Sequence, residues 1–584
     1  MYLSNAVEAH KIGDLKAASA LYDKALQNQE HNEILFQNYG ALKRELGQEK
    51  ESREIYEIGL KKFPKSKKIL SNYANLLRST SPVKAFRIYL NILRLDLLND
   101  EGLEPKAFIN VIEVLENLKF YTLAYSFCIS ALKYHQNPAA LLALLRISSK
   151  ASFSFLPSSD LNSLASLSEH NISCFTPIEK AEFFFAVAWL NLDNNDVTAS
   201  RINLQKANMH LSFIFSTPSE YPQEDVEKAI TLRNTYSWNM SCLMLPQQEF
   251  SDGWSLFEFG LVAPAKGKQK WQRALLKPFS ENQLKLWRGE CLSGKKLLLL
   301  EEQAIGDVMQ FLTLLPYLIE EAQHICLLLN PRLIPIYTRS LSDFIHEGKV
   351  SLKTYKHVFN GTMHFSMYDY QSPIGSICQH RFTDIRKYGC SGLQLAADPD
   401  NTISLRKRYH EFGGIQCDKL VGVSWRGGGR ADRIKQKSLN SELFASLLLD
   451  NPGIRFVSLQ YGESRDTVKE WRKQGVDIVY DEEVDPLKDM NLWLSQVASC
   501  DAVISVANTT IHGAGGLNIP TMCLLSQHSD WRWLKDPKVT TSYWYSSVGI
   551  ARQDKNLCWD TAFQRVKEWL SEGAALPQGQ AWLE

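Results

Sequence analysis

The sequence predicts two kinds of architecture in one chain: an array of paired α-helices over residues 1–262, then two doubly wound α/β domains from residue 295 onward. Three observations carry this. Equivalent tyrosines recur 34 and then 33 residues apart near the N-terminus, at Tyr22, Tyr56 and Tyr89. A short unbroken apolar run, Lys295-Lys-Leu-Leu-Leu-Leu300, opens an alternation of strands and helices, and the alternation restarts at Leu420-Val-Gly-Val-Ser424. Strands without polar alternation are those buried on both faces, as in parallel sheets.

A chain of 584 residues exceeds what one core supports, so two or three domains are expected. The 65 basic and 64 acidic residues leave a formal net charge of +1, which argues against a broad nucleic-acid or membrane surface. The N-terminal MYLSNAVEAHKIGD lacks a basic n-region followed by an apolar h-region, and no apolar run is as long as a membrane span. The expectation is a cytoplasmic protein. Its 11 cysteines show no CxxC and no Cys/His pair at zinc spacing, so they read as reduced thiols, mostly buried as small hydrophobes.

The repeats are the first element. Ala18-Ser-Ala-Leu-Tyr22, Ser52-Arg-Glu-Ile-Tyr56 and Ala85-Phe-Arg-Ile-Tyr89 are equivalent, as are Asn38-Tyr39 and Asn72-Tyr73. Gly13-Asp14 and Gly47-Gln48 fall in the turns between paired helices, and Pro64 lies near the end of a repeat. This period resembles that of tetratricopeptide repeats, clearly over residues 2–95 and more loosely at Ala124 to Leu132. From 135 to 262 the helical pattern continues with poorer repetition, one pair around 181–192 and another over 234–243 and 250–257. Such pairs stack because none buries its apolar face alone, and the product is an α-solenoid with an open groove. That groove either packs against the next domain or holds a protein or peptide. Pro264, Pro278, Trp287-Arg-Gly289 and Gly294 mark a connecting segment, 263–294.

The first α/β domain, 295–410, runs from the Lys295–Leu300 strand through Glu301-Glu-Gln303-Ala-Ile-Gly306-Asp307 into a helix. Strands are predicted at Ile325 to Leu329 and Val350 to Leu352, and DYQSPIGSI (369–377) reads as loop. Asp398-Pro399-Asp400 marks a break. The second domain, 411–584, has strands at 420–424, 455–459, 478–480 and 502–506 and one after Pro520, with a closing helix at Asp560 to Leu570. After Ala502–Val506, Asn508-Thr509-Thr510 cap and open a helix carrying His512. Free N–H groups and a positive dipole end there suit an anion such as a diphosphate. Two such Rossmann-like domains in tandem describe the GT-B arrangement, in which ligands gather outside the C-terminal ends of the strands. Loops 301–307, 425–438, 460–463 and 507–512 are therefore expected to face one another.

Several stretches in order carry a family resemblance: LLLLEEQAIGDVMQFLTLLPYL, YDYQSPIGSI, VGVSWRGGG with Lys437-Ser438-Leu439, FVSLQYGE, DAVISVANTTIHGAGGLNIPTMCLL, and SDWRWLKD with SYWYSSVGIARQ. From about Trp287 onward the chain resembles the heptosyltransferase-like, glycosyltransferase family 9-like proteins, in the form that carries N-terminal tetratricopeptide repeats. The resemblance implies an inverting hexosyl- or heptosyltransferase that takes a nucleotide diphosphate sugar as donor, with a glycan or protein acceptor presented by the repeats. It implies that Asp307 is the general base toward the acceptor; the other reading is that Asp307 only caps the following helix. Lys437 matches a basic position that meets the donor phosphates, with Arg426 close enough in sequence to help. Arg430, Arg433 and Lys435 read as a solvated loop. Asn508, Thr509, Thr510 and His512 match the family's Asp-Thr-Gly-x-x-His donor motif, but Ala507 stands where that pattern has Asp, so the donor differs or the site is weakened. Gln460 and Glu463 are candidates for nucleoside contacts. Gly513-Ala-Gly-Gly516 serves either close ligand approach or helix packing; Trp531, Trp533, Trp544 and Tyr545 either stack on a base or a sugar face or close a core, and most of them read as core. With no DxD-type carboxylate pair at a strand end, metal-independent chemistry with no cofactor is expected. The charge balance leaves nucleic acid out, and the absence of GxxxxGK[ST] argues against a P-loop kinase. The alternative is a non-catalytic repeat scaffold with a degenerate transferase-like domain.

Overall fold

Short loops between amphipathic segments dictate the N-terminal architecture. Helices α1 (Tyr2–Lys11), α2 (Leu15–Gln27), α3 (Glu33–Glu45), α4 (Glu49–Lys62), α5 (Lys67–Leu77), α6 (Pro82–Asn99), α7 (Pro105–Asn117) and α8 (Tyr121–Tyr134) form successive pairs. Their starts are set by side-chain caps: Asp14 accepts from the Ala17 N–H at 3.0 Å and Asn32 from that of Ile34 at 2.9 Å. Gly13 and Gly47, with φ of +83° and +75°, turn the chain between the helices of a pair in a backbone conformation that side chains disfavour. The repeated Tyr22, Tyr56 and Tyr89 are fully buried on α2, α4 and α6, in one continuous core. A further pair follows, α9 (Pro177–Asp193) and α10 (Val197–Ser216). This is a tetratricopeptide-type α-solenoid.

The structure is a computed structural model and describes residues 2–99, 105–134, 143, 147, 175–193, 196–265, 271–273, 279–389, 392–415, 417–428, 434, 437–527 and 529–577. The poorly repeating stretch before residue 175 lies largely outside these, as do Pro278, Arg430, Arg433 and Lys435. The chain forms two compact units, Met1–Ala229 and Ile230–Glu584. No described helix is long and apolar enough to cross a membrane.

The second unit holds two wholly parallel sheets. Strands β1 (Lys296–Leu300), β2 (His324–Leu328), β3 (Val350–Lys353) and β4 (Tyr370–Pro373) are ordered β3-β2-β1-β4. Strands β5 (Leu420–Ser424), β6 (Arg455–Ser458), β7 (Ile478–Val479), β8 (Ala502–Val506), β9 (Thr521–Leu525) and β10 (Val548–Arg552) are ordered β10-β9-β8-β5-β6-β7. Both are doubly wound. The direction of winding reverses between β1 and β4 and between β5 and β8, which is where such sheets open a crevice at their C-terminal ends.

Two strands differ from the sequence expectation. Tyr370–Pro373, read as loop, is the edge strand β4, where a proline costs no ladder bond. Its Gln371 side chain is satisfied outside the sheet, accepting from the Phe279 N–H at 2.8 Å and donating to the Leu284 carbonyl at 2.7 Å. Strand β10, also at an edge, was not anticipated; its Val-Gly-Ile-Ala-Arg run lacks a polar alternation or a long apolar core.

Residues 230–262, which helical periodicity groups with the repeats, pack into the second unit. Helix Phe250–Phe257 delivers Phe250, Trp254 and Phe257 to an aromatic cluster with Phe311, Tyr388, Trp531, Tyr543 and Trp544. Trp254 stands edge-on to Trp531 at 5.8 Å between ring centroids, and Phe311 stacks on Trp531 at 5.9 Å. An amphipathic helix has the same period whichever core receives it, so sequence alone cannot assign it. A fragment 230–584 is expected to unfold in one cooperative thermal transition, whereas 263–584, lacking Trp254 and Phe257, gives none. Cooperative melting of the shorter fragment would show that this helix is not part of the core.

Candidate functional site

Where β5 and β8 diverge, the last strand amides have no sheet partner and must find one elsewhere. Two amide side chains supply it. The Gln460 Oε1 accepts from the Ser424 hydroxyl at 3.1 Å and from the Trp425 and Arg426 N–H groups at 3.0 and 2.8 Å. Asn508 caps helix Thr509–Gly516 by accepting from the Thr510 N–H at 2.9 Å, while its Nδ2 donates to the Ser424 hydroxyl at 2.8 Å and to the Arg426 carbonyl at 3.1 Å. Arg426 turns toward the loop after β6, donating to the Tyr461 and Glu463 carbonyls at 3.3 and 3.2 Å. Gln460, Asn508 and Arg426 thus fasten the loops of this crevice to one another, and the Glu463 side chain is exposed. Thr510 is buried, and Thr509 borders the first sheet's loop near Gly306.

The expected convergence of loops from the two sheets occurs at Asp307, Lys437 and His512. Asp307 is the third residue of helix Ile305–Leu312 rather than the residue that precedes a helix, and its Oδ2 accepts from the N–H of the capping residue, Ala304, at 3.0 Å. Its other oxygen accepts from Arg532 Nε at 2.7 Å and from a second N–H of the same guanidinium. Arg532 also donates to Gln303 at 3.2 Å and to Asp530 at 3.0 Å, and Lys437 Nζ donates to Asp530 at 2.6 Å. The side chains of Asp307, Lys437, Asp530 and Arg532 are 8, 19, 10 and 17% exposed, so these are not solvent-screened surface bridges. Two cations meet two carboxylates, and the formal charge of the set is zero. Burial alone would raise Asp530, but Lys437 and Arg532 outweigh it and hold the carboxyl far below the usual carboxylate range. Burial would lower Arg532; Asp307 and Asp530 outweigh that and raise it.

His512 lies beside this set, 8% exposed, with Nδ1 3.1 Å from the Tyr545 hydroxyl. Burial holds its imidazole down to about 4, opposed by Asp307 and Asp530 and reinforced by Arg532 and Lys437, so the ring is neutral at physiological pH. The ring fits against the first sheet's loop only because residue 306 is glycine: a Cβ there would lie 2.8 Å from His512 Cδ2. Ala507 lies at a shallow indentation, with no room for a water molecule, that Lys437, Ser526, Ser529, Asp530 and Trp533 also line. Asp530 thus brings a carboxylate to the same indentation that Ala507 lines.

Sequence reasoning assigned no role to Asp530 or Arg532, and to Tyr545 only a place in the core. The available signal is Asp530-Trp-Arg532-Trp, in which charged residues alternate with tryptophans. Trp531 and Trp533 are buried as expected, as are Trp544 and Tyr545. The charges between them share that burial and must be paired. Gly513 and Gly515 lie against the Trp493 and Tyr545 rings, where a Cβ would meet ring carbons at 2.6 and 2.5 Å, the packing alternative for that cluster. On the first sheet, Glu301 closes β1, and burial pushes it up to about 7 against the Asn330 N–H and Arg332. Arg332 itself donates to the Pro486 and Leu487 carbonyls at 3.3 Å, joining the loop after β2 to the second sheet's side.

No family model matches the chain. It is 26% identical over 304 residues to protein FlbA of Caulobacter vibrioides, covering 50% of this chain and 48% of that protein; it thus spans about half the length of the curated relative it matches. Among solved structures, ADP-heptose LPS heptosyltransferase II of E. coli is similar over 48% of this chain and 98% of its own, at 13% identity and a TM-score of 0.35. A tetratricopeptide repeat protein from Parabacteroides merdae is similar over 46% of this chain and 93% of its own, at 17% identity and a TM-score of 0.33. By its own helix pairing and strand order, the chain joins tetratricopeptide-type repeats to two wholly parallel, doubly wound α/β domains in tandem.

Two outcomes follow from the His512 environment. Below the ordinary histidine value of 6.5 the unfolded chain binds a proton that the folded chain refuses until about pH 4, so stability is full above pH 6.5 and falls as pH drops toward 4. The decline is about 3 kcal/mol by the conversion of pKa shift to free energy. His512→Asn removes that contribution, and urea titrations at pH 7.5 and 4.5 should show a smaller acid loss than in wild type; equal losses refute the assignment. Gly306→Ala drives a methyl into the His512 ring, and its melting temperature is expected to fall in wild type by more than in a His512→Ala background.

Proposed function

We propose that the second unit is an inverting, metal-independent glycosyltransferase that moves a sugar from a nucleotide diphosphate sugar to a hydroxyl of a glycan or protein acceptor. What supports this above all is one arrangement: loops from the C-terminal ends of two facing parallel sheets bring Asp307, Lys437 and His512 together beside a helix N-terminus. In this reading the diphosphate lies at the start of helix Thr509–Gly516, where the positive end of the helix dipole and Lys437 stabilise its charge. Neutral His512 adds a ring hydrogen bond at no charge cost. The acceptor oxygen attacks the anomeric carbon as the bond to the β-phosphate oxygen breaks; the electron pair leaves with the nucleoside diphosphate, and the acceptor proton passes to Asp307. The repeats hold the acceptor or the protein that bears it, and the reaction runs in the cytoplasm.

A second reading keeps the fold and drops the chemistry. The observation favouring it is that both Asp307 oxygens, the Lys437 ammonium and the Gln460 amide are already engaged within the protein, with no carboxylate at 507. The chain would then be a repeat scaffold carrying a degenerate transferase domain.

Incubation with a panel of nucleotide sugars, scored by release of nucleoside diphosphate, separates the two. Turnover that drops at least about 100-fold in Asp307→Asn is expected of a general base. Full activity in that variant refutes the assigned base, and neither turnover nor nucleotide binding with any donor leaves the scaffold.

A further inference from the structure

Among the described residues, Arg532 is the cation that touches carboxylates from both sheets' sides, and its surroundings define what happens when an anion arrives. Its guanidinium divides its donors among Asp307, Asp530 and Gln303, and lies over the Trp531 ring with Cζ 4.2 Å from the centroid. The stacked plane limits it to sliding and turning over an aromatic face, a geometry that presents the same fork to a carboxylate or a phosphate. Lys437 is one carboxylate away, sharing Asp530.

The four side chains sum to no charge, so as it stands the cluster offers a diphosphate no net attraction. A polyanion enters a buried set of this kind only by replacing carboxylates on the cations, because a buried cation or carboxylate stripped of its partner without replacement is strongly destabilising. Asp530 bridges Lys437 and Arg532, so one diphosphate in its place reaches both. Once Arg532 turns to phosphate, Asp307 Oδ1 loses its partner while Oδ2 stays held by the Ala304 N–H at 3.0 Å. The carboxylate therefore remains in position with one free oxygen. Freed of its cation, that oxygen is open to a hydrogen bond from an acceptor hydroxyl.

We propose that Arg532 is a donor-responsive positioning residue: it neutralises Asp307 while the donor site is empty, and a nucleoside diphosphate captures it and releases Asp307 toward the acceptor. This rests on the transferase reading above and adds to it an order, donor before acceptor, together with two residues, Asp530 and Arg532, that compete for or bind the diphosphate. In the paired state Asp307 accepts no proton from an acceptor, so sugar-free encounters are unproductive.

Calorimetric titration of the full chain with ADP, GDP, UDP and inorganic pyrophosphate tests this. Removing a competing carboxylate should help the diphosphate, so Asp530→Asn and Asp307→Asn are each expected to bind the best of these probes about tenfold more tightly than wild type. A gain of affinity cannot come from misfolding. Arg532→Gln should weaken binding at least tenfold, with Arg532→Lys between it and wild type. If wild type binds and both Asn variants bind equally well or more weakly, the carboxylates position the site rather than compete, and the exchange is overturned while the transferase reading stands. If wild type binds none of the four probes, both fall together.

Discussion

A guanidinium removed from water must find its counter-charges nearby, and Arg532 finds them on loops that belong to different sheets. That single requirement organises the second unit. Asp307 comes from the loop after β1, Asp530 and Arg532 from the loop after β9, and Lys437 from the loop after β5, so pairing the charge brings together the ends of strands from both domains. The pairing is specific in geometry as well as sign. Breaking it without substitution would leave buried ions alone, which is why the loops adopt one arrangement rather than several.

A second buried guanidinium applies the same constraint within the same loop after β1, at Glu302. Arg273, in the connecting segment, is fully buried and donates to Glu302 at 2.9 and 2.8 Å, to Glu258 at 2.6 Å and to the Ser376 hydroxyl at 3.0 Å. Glu302 follows β1 and Ser376 follows β4, so Arg273 occupies the place where that sheet's winding reverses. The helical segment before it contributes Glu258. Connecting residues that look in sequence like a bare linker are therefore pinned to the α/β fold at its switch point. The crevice of the first sheet is partly filled by protein, while that of the second is bordered by the charged set.

Much of this fold was legible because its strands are short apolar runs and its repeats keep their period. The edge strands β4 and β10 were harder, since an edge needs no continuous apolar run and admits Gln371, Pro373 and Gly549. The placement of Asp307, Lys437 and His512 near one another was expected from the tandem GT-B arrangement of two doubly wound domains; their roles remain with the proposal. Arg426, Gln460 and Asn508 illustrate what sequence leaves undecided. An amide at the end of a parallel strand serves a ligand or the unpaired backbone beside it, and here the backbone of Ser424 to Arg426 takes it. Asp530 and Arg532 were missed for a related reason: a charged residue between tryptophans reads as loop surface until its neighbours prove to be buried.

The seating of helix Phe250–Phe257 among Trp531, Tyr543 and Trp544 has a consequence for how the molecule is made. During synthesis this helix leaves the ribosome well before the last tryptophans that complete its surroundings. Phe250, Trp254 and Phe257 must meanwhile stay uncovered or sit in a provisional contact. Closure of such a distant pair makes for slow maturation, and the nascent α/β half would be most exposed to aggregation in the interval before β10 is added.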